Sequence, residues 1–264
     1  MCELYAASSA VATKISFSLH EFRRHGGITG DHVDGWGLAF YHMGEMILHR
    51  ETKPAASSLK MDYVLKNHQP SDIVISHIRK ATQGNISLEN TQPFSMEKGG
   101  VNHTFVHNGN LENVQENIPI NKIFPKGDTD SEHAFCYLME KLDTLYDKGS
   151  PSLEEKVELI KNTFNFFSRF GPANFIYCDG EYLFAFGHQR KQPDGSTDSP
   201  GLYYLERDAK TDFEKYKIAG MNMVGFRQNQ LLFASVPLTD EQWIPFQLNQ
   251  MLVAKFGELL YSSC

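Results

Sequence analysis

Cysteine is scarce in this chain: four residues in 264, Cys2, Cys136, Cys178 and Cys264, with no C-x-x-C pair. That spread argues against a zinc ribbon or a disulfide scaffold and fits a reduced cytosolic protein. Long apolar runs are also missing. Nothing approaches the ~20 residues needed to span a bilayer, and the N-terminus lacks the basic-then-apolar pattern of a secretory leader. The expected location is therefore the cytoplasm, with no membrane partner. No basic run is longer than a pair such as Arg23-Arg24, and the formal net charge is -7. A nucleic-acid surface is disfavoured on that balance. The familiar nucleotide and hydrolase signatures are absent too. Gly35-Trp36-Gly37 lacks the third glycine of a dinucleotide loop and precedes a strand, not a helix. No G-x-S-x-G elbow occurs. Histidine is plentiful, with 11 residues. However, His103 and His107 stand four apart in a strand pattern rather than an H-E-x-x-H helix, and His20, His25 and His32 scatter over loops. No metal site and no organic cofactor is expected.

What remains is ordinary globular material, 41% hydrophobic and 22% charged. Cys2 to Ala7 reads as the start of a strand. Ile15, Leu19 and Phe22 follow helical spacing, and Gly26-Gly27 ends that helix. Leu38 to Tyr41 and Met46 to Leu48 read as a hairpin turning at Met43-Gly44-Glu45. Residues 55 to 67 read as one helix with Leu59, Tyr63 and Leu65 toward one face. Ile73 to Ile78 and Thr104 to His107 are strands. Thr129-Asp130-Ser131-Glu132 matches a helix capping box, and Ser150-Pro151 reads as the start of a second helix. Asp179-Gly180 marks a hairpin between Asn174–Cys178 and Glu181–Phe186. A polar loop spans Arg190 to Pro200. Strands follow at Leu202–Leu205, Leu231–Val236 and Met251–Phe256. No repeat or linker divides the chain, so one domain over residues 1–264 is expected. Strands, then paired helices, then strands imply an α+β fold with antiparallel sheets.

Four short stretches carry chemistry. With Met1 removed, Cys2 would offer a thiol and a free α-amine on one residue, a complete nucleophile-and-base pair. Its amine, with a reference pKa of about 7.7–8.0, is partly neutral near pH 7. Arg79, leaving a buried strand, can grip a carboxylate with its planar fork, and Thr82 can add a hydroxyl. Asn108-Gly109 offers a side-chain amide and a backbone N–H for an oxyanion. Asp130 can take an ammonium. Each signal alone is common. Together they describe a site for an α-amino acid whose side-chain carbonyl is attacked. Trp36, on its glycine-flanked loop, stands as a candidate pocket wall and equally as a core residue.

The order Met1-Cys2, then H-x-R-x-A-T-x-G from His77 to Gly84, then His107-Asn108-Gly109, then Thr129-Asp130-Ser131-Glu132 resembles the class II glutamine amidotransferases, which are N-terminal-nucleophile hydrolases. Met1-Cys2-Glu3-Leu4, Asp34-Gly35-Trp36-Gly37, Leu88 to Phe94 and the Pro237-Leu238-Thr239 region are similar to the single-domain YafJ-like branch. The resemblance runs through nearly the whole chain. It implies a four-layer αββα sandwich and glutaminase chemistry: hydrolysis of the γ-amide of glutamine or a γ-glutamyl amide through a Cys2 thioester. Where larger synthases of the class have H-T-R-W-A-T-H-G, this chain carries Ile78, Lys80 and Gln83, which alters the pocket wall but keeps Arg79. Two enzymatic uses stay open. One is ammonia supply to a separate synthase. The other is stand-alone hydrolysis of γ-glutamyl compounds, of the glutathione-breakdown or ergothioneine type. A non-catalytic γ-glutamyl binder is the reading if Met1 is retained.

Overall fold

A computed structural model describes residues 2–192, 194–208 and 228–263. In chain order the first elements are β1 (Glu3–Thr13), α1 (Ser16–Arg24), β2 (Trp36–His42), β3 (Glu45–Glu51), α2 (Leu59–Asn67) and β4 (Ser71–Ile78). Then come β5 (Phe94–Lys98), β6 (Val101–Gly109), α3 (Val114–Asn117), α4 (Asp130–Tyr146), α5 (Leu153–Phe167), β7 (Ala173–Cys178) and β8 (Leu183–Gly187). The last are β9 (Arg190–Lys191), β10 (Thr197–Asp198), β11 (Tyr203–Arg207), β12 (Gln230–Ala234), β13 (Ile244–Pro245), β14 (Gln250–Lys255) and β15 (Glu258–Ser262).

The strands form two large antiparallel sheets. One has seven strands in the order β13-β11-β12-β1-β4-β2-β3, the other six in the order β15-β14-β8-β7-β6-β5. Side chains alternate across each sheet, so each strand feeds two layers. On β1, Leu4 and Ala6 point between the sheets, where they meet Val106 of β6 and Ile176 of β7. Tyr5 and Ala7 point the other way, against Leu19 and Phe22 of α1 and Met61 and Val64 of α2. Beyond the second sheet, Phe105, Phe175 and Phe186 pack on Phe135 and Leu138 of α4 and Phe164 of α5. The result is the expected αββα sandwich. Both sheets are buried on two faces, which is why β1 and β4 read as near-continuous apolar runs rather than as alternating ones.

Several expectations need correction. The helix expected over 55–67 breaks into a turn of 3-10 helix at Ala55–Ser57 and then α2. Ser58 causes the break: its hydroxyl accepts from the Met61 N–H at 2.9 Å and caps the second segment. Leu59 and Tyr63 consequently face solvent, and Met61, Val64 and Leu65 take the core face. At α4, Thr129 accepts from the Glu132 N–H at 3.2 Å, but the Glu132 carboxylate turns to the Lys126 and Gly127 N–H groups instead of closing a box. The complete capping box belongs to α5, between Ser152 and Glu155, so that helix begins at Leu153 rather than at Pro151. Strand β1 runs on to Thr13, and β5 and β15 appear as further sheet strands with no expectation behind them.

The α5 cap gives a direct check. Ser152→Ala removes the acceptor for the Glu155 N–H and should lower the unfolding free energy by about 0.5–2 kcal/mol. Urea denaturation would read it. An unchanged midpoint would mean that the cap contributes nothing to holding α5 against β7.

Candidate active site

The register of β1 on β4 sets the site. Glu3 pairs with Ile78 and Leu4 with His77, so Cys2 lies at the strand end beside Arg79 and Lys80. Cys2 shares the parity of Leu4 and therefore faces the space between the sheets. Its Sγ lies 3.4 Å from the Lys80 carbonyl oxygen and 3.4 Å from the Lys80 nitrogen, which donates to it. Burial pushes the Cys2 thiol up; the Lys80 backbone and the Arg79 charge pull it down, and Asp130 opposes them. Burial dominates, so the thiol is not activated by its surroundings alone.

Arg79 is buried, and its guanidinium is held by a loop. Nη1 donates to the Asn85 carbonyl at 2.9 Å and Nη2 to the Gln83 carbonyl at 3.0 Å. That loop is clamped in turn. Asn90 donates to Asn85 O at 3.0 Å and to Asp128 Oδ1 at 2.5 Å, and its own Oδ1 accepts from the Asp128 N–H at 3.0 Å. The loop holding Arg79 is thus tied to the residues that lead into α4. On the other side, Asp34 Oδ2 accepts from the Ala81 N–H at 2.8 Å, and Lys80 pairs with Asp31.

Asn108 sits on β6, on the face that Val106 turns toward the first sheet. Its amide lies 3.1 Å from Ser235 Oγ, which also accepts from the Leu4 N–H at 2.9 Å. With the amide nitrogen toward Ser235, the other amide atom is a buried oxygen without a partner. The reversed orientation moves the unpaired group from the oxygen to the NH₂. Ser235 would then accept from Leu4 and donate to the Asn108 oxygen, leaving the Asn108 NH₂ as the donor without a protein acceptor. Behind it, Asn174 donates to the Asn108 carbonyl at 2.9 Å. Gly109 is required sterically, because a Cβ there would lie 1.8 Å from the Pro172 carbonyl oxygen.

Asp130 is buried at the start of α4. Its Oδ2 accepts from the Leu111 N–H at 2.8 Å, and Ser131 Oγ lies 3.2 Å from its Oδ1. Cys2, Arg79, Asn108 and Asp130, assembled from four separate elements, are therefore brought to one end of the sandwich. Thr82 lies on the exposed loop after Arg79. Of the two readings held equally for Trp36, core residue and pocket wall, the structure takes the core one. Trp36 is fully buried on the outer face of the first sheet with Tyr5, Phe22 and Leu38, and its Nε1 donates to Glu51 at 3.2 Å. The sequence reading missed Ser235, Asn174 and Asn90. Ser235 acts on Asn108 across 127 positions, and no local pattern marks such a contact. The histidines of β6 serve as packing and hydrogen-bonding groups: His103 meets Tyr177 and His107 meets Ser131. Among the described residues, no group of three His, Cys, Asp or Glu side chains is placed to hold a metal ion. Nor is any helix there long and apolar enough to cross a membrane.

The architecture is that of the N-terminal-nucleophile amidotransferases. A crystal structure of a predicted glutamine amidotransferase from Pseudomonas aeruginosa superposes with a TM-score of 0.70 at 28% identity, covering 98% of this chain and 100% of that one. The phosphoribosylpyrophosphate amidotransferase of Bacillus subtilis shares the fold at a TM-score of 0.62 and 14% identity, over 99% of this chain and 49% of that one. In sequence, residues 1–264 match the glutamine amidotransferases class-II. The chain belongs to that family. A Haemophilus influenzae protein, provisionally named a glutamine amidotransferase, is 34% identical over 98% of this chain and 85% of its own length. Escherichia coli YafJ, named in the same provisional way, is 36% identical over 70% of this chain and 72% of its length.

Ser235 links the two sheets at this end, so Ser235→Ala leaves the buried Leu4 N–H without an acceptor. A loss of about 1–3 kcal/mol in unfolding free energy is expected. Calorimetry showing a shift within error of zero would remove Ser235 from the support of β1.

Proposed function

We propose that the protein is an enzyme that hydrolyses the γ-amide of glutamine or of a γ-glutamyl amide. The reading takes the chain as one glutamine amidotransferase domain over residues 1–264. The observation that carries it is the position of Cys2: a half-buried thiol at the end of β1, beside Arg79 and facing the space between the sheets.

The roles follow from residue type and placement. Removal of Met1 frees the Cys2 amine, which takes the thiol proton through a water. This step is needed because burial holds the thiol protonated. The thiolate attacks the side-chain carbonyl carbon, and the developing negative oxygen is met by the Asn108 NH₂ and the Gly109 N–H. One such donor can contribute about 2.7–4 kcal/mol to the barrier. The amine returns the proton to the leaving nitrogen, so ammonia or an amine departs. Water then cleaves the γ-glutamyl thioester, giving glutamate and restoring the thiol. Arg79 binds the α-carboxylate with the donors its loop leaves unused, with Thr82 at the edge of that subsite. Asp130 binds the α-ammonium. Opposite charges meeting the two groups of one α-carbon select a free amino acid terminus. The ammonia either dissolves or passes to a separate synthase.

A panel of γ-glutamyl amides tests this with the mature protein. The wild type should release ammonia or amine from at least one, and Cys2→Ala should release none. Silence across the whole panel from protein whose intact mass shows Met1 removed would sink the hydrolase reading. Arg79→Lys keeps the charge but loses the fork. Loss of a charged hydrogen bond worth about 1.5–3 kcal/mol should raise KM by about 10- to 100-fold. An unchanged KM would take Arg79 out of the carboxylate subsite.

A further inference from the structure

Asp130 is not an isolated carboxylate. Ser131 Oγ lies 3.2 Å from Asp130 Oδ1 and 2.9 Å from His107 Nδ1, and the other ring nitrogen, Nε2, lies 3.2 Å from the Pro172 carbonyl oxygen. The direct approach of His107 Nδ1 to Asp130 Oδ2 is 3.9 Å, too long for a hydrogen bond, so the serine is the link. His107, Ser131 and Asp130 are all buried.

Proton counting restricts what this chain of groups can do. A carbonyl oxygen only accepts, so Nε2 carries a hydrogen whenever it bonds to Pro172. If His107 is charged, Nδ1 also carries a hydrogen and donates to Ser131 Oγ. The serine must then point its single hydrogen at Asp130 Oδ1. If His107 is neutral, Nδ1 holds a lone pair and the serine hydrogen turns to it. Asp130 Oδ1 is then released. Because Asp130 Oδ2 already accepts the Leu111 N–H, Oδ1 is the oxygen whose availability changes.

We propose that Ser131 is a positioning residue whose hydroxyl turns between Asp130 and His107, so that the charge on His107 sets how much of the Asp130 carboxylate is free for a substrate ammonium. The proposal rests on the reading of Asp130 as the ammonium subsite. The titratable groups facing His107 are Asp130 on α4 and His77 on β4; β7 contributes the Phe175 ring, at 4.8 Å between centroids. Burial holds His107 below the ordinary histidine range, against the opposite pull of Asp130. At neutral pH the imidazole is therefore uncharged and Asp130 is free. As pH falls through the His107 titration, the serine turns to Asp130 and ammonium binding weakens.

The test combines NMR of the His107 ring with kinetics on wild type, Ser131→Ala and Ser131→Thr. In the wild type, KM for a γ-glutamyl amide with a free α-ammonium should rise about 3- to 10-fold across the His107 titration. KM for an analogue lacking that ammonium should stay flat. In Ser131→Ala the pH dependence of KM should vanish and His107 should titrate at lower pH, having lost the acceptor for its second proton. Ser131→Thr, which keeps the hydroxyl, should restore both. An active wild type with the same His107 titration and the same KM profile in Ser131→Ala would overturn the role of Ser131 alone. A wild type that turns over no γ-glutamyl amide would overturn the functional reading and this role with it, whatever the NMR shows.

Discussion

The site depends first on the register of β1 against β4. With Glu3 opposite Ile78, residues 2, 4 and 6 face the inner layer and Cys2 arrives next to Arg79. A slip of one residue would turn Cys2 to the outer face and carry Tyr5, fully buried against α1, into the layer between the sheets. Such a slip would expose or misplace a whole strand of apolar side chains, several at about 1.5–3 kcal/mol each. The packing of the sandwich thus fixes Cys2 more firmly than any contact of the thiol itself, whose two sulfur contacts to Lys80 are weak ones at 3.4 Å.

Around that strand the polar groups form a connected frame. Ser235 ties Leu4 to Asn108, Asn174 holds Asn108 from behind, and Asn90 ties the loop that grips Arg79 to Asp128. Each of these is an uncharged side chain, buried and hydrogen-bonded. The charged groups, Arg79 and Asp130, act on the Cys2 thiol in opposite senses. Their fields partly cancel at the sulfur, while each remains available to an ion of opposite sign. The zwitterionic substrate proposed for the site matches that pair of charges. Burial outweighs both charges at the thiol, so the proposed mechanism assigns its activation to the α-amine and depends on the loss of Met1.

Much of this was legible in the sequence because the motifs sit at strand ends, where a short run places several groups at once. His77 to Gly84 and His107 to Gly109 each close a buried strand, and Thr129 to Glu132 opens a helix. The α+β class and the αββα layering followed from the order of elements and the family resemblance. Trp36 was legible only as one of two equal readings. Its flanking glycines suggest a loop, but pairing with Ile78 and Glu51 makes it the first residue of β2 and turns it outward. Ser58 hid the break before α2, since a capping serine inside an apolar-periodic stretch looks like a tolerated polar position. Ser235 and Asn174 act only through distant backbone and amide groups, and such contacts leave no spacing to read. Residues 209–227, between β11 and β12, lie outside the described residues; no strand or helix was expected there.

The central claim, that Cys2 is the nucleophile of a glutamine-type pocket, meets its most direct trial in affinity labelling. The mature protein would be treated with an electrophilic diazo-ketone analogue of glutamine, with and without excess glutamate, and the labelled peptide mapped by mass. The account predicts one label, on Cys2, suppressed by glutamate. A label confined to Cys136, Cys178 or Cys264, or labelling of Cys2 that glutamate does not affect, would contradict it.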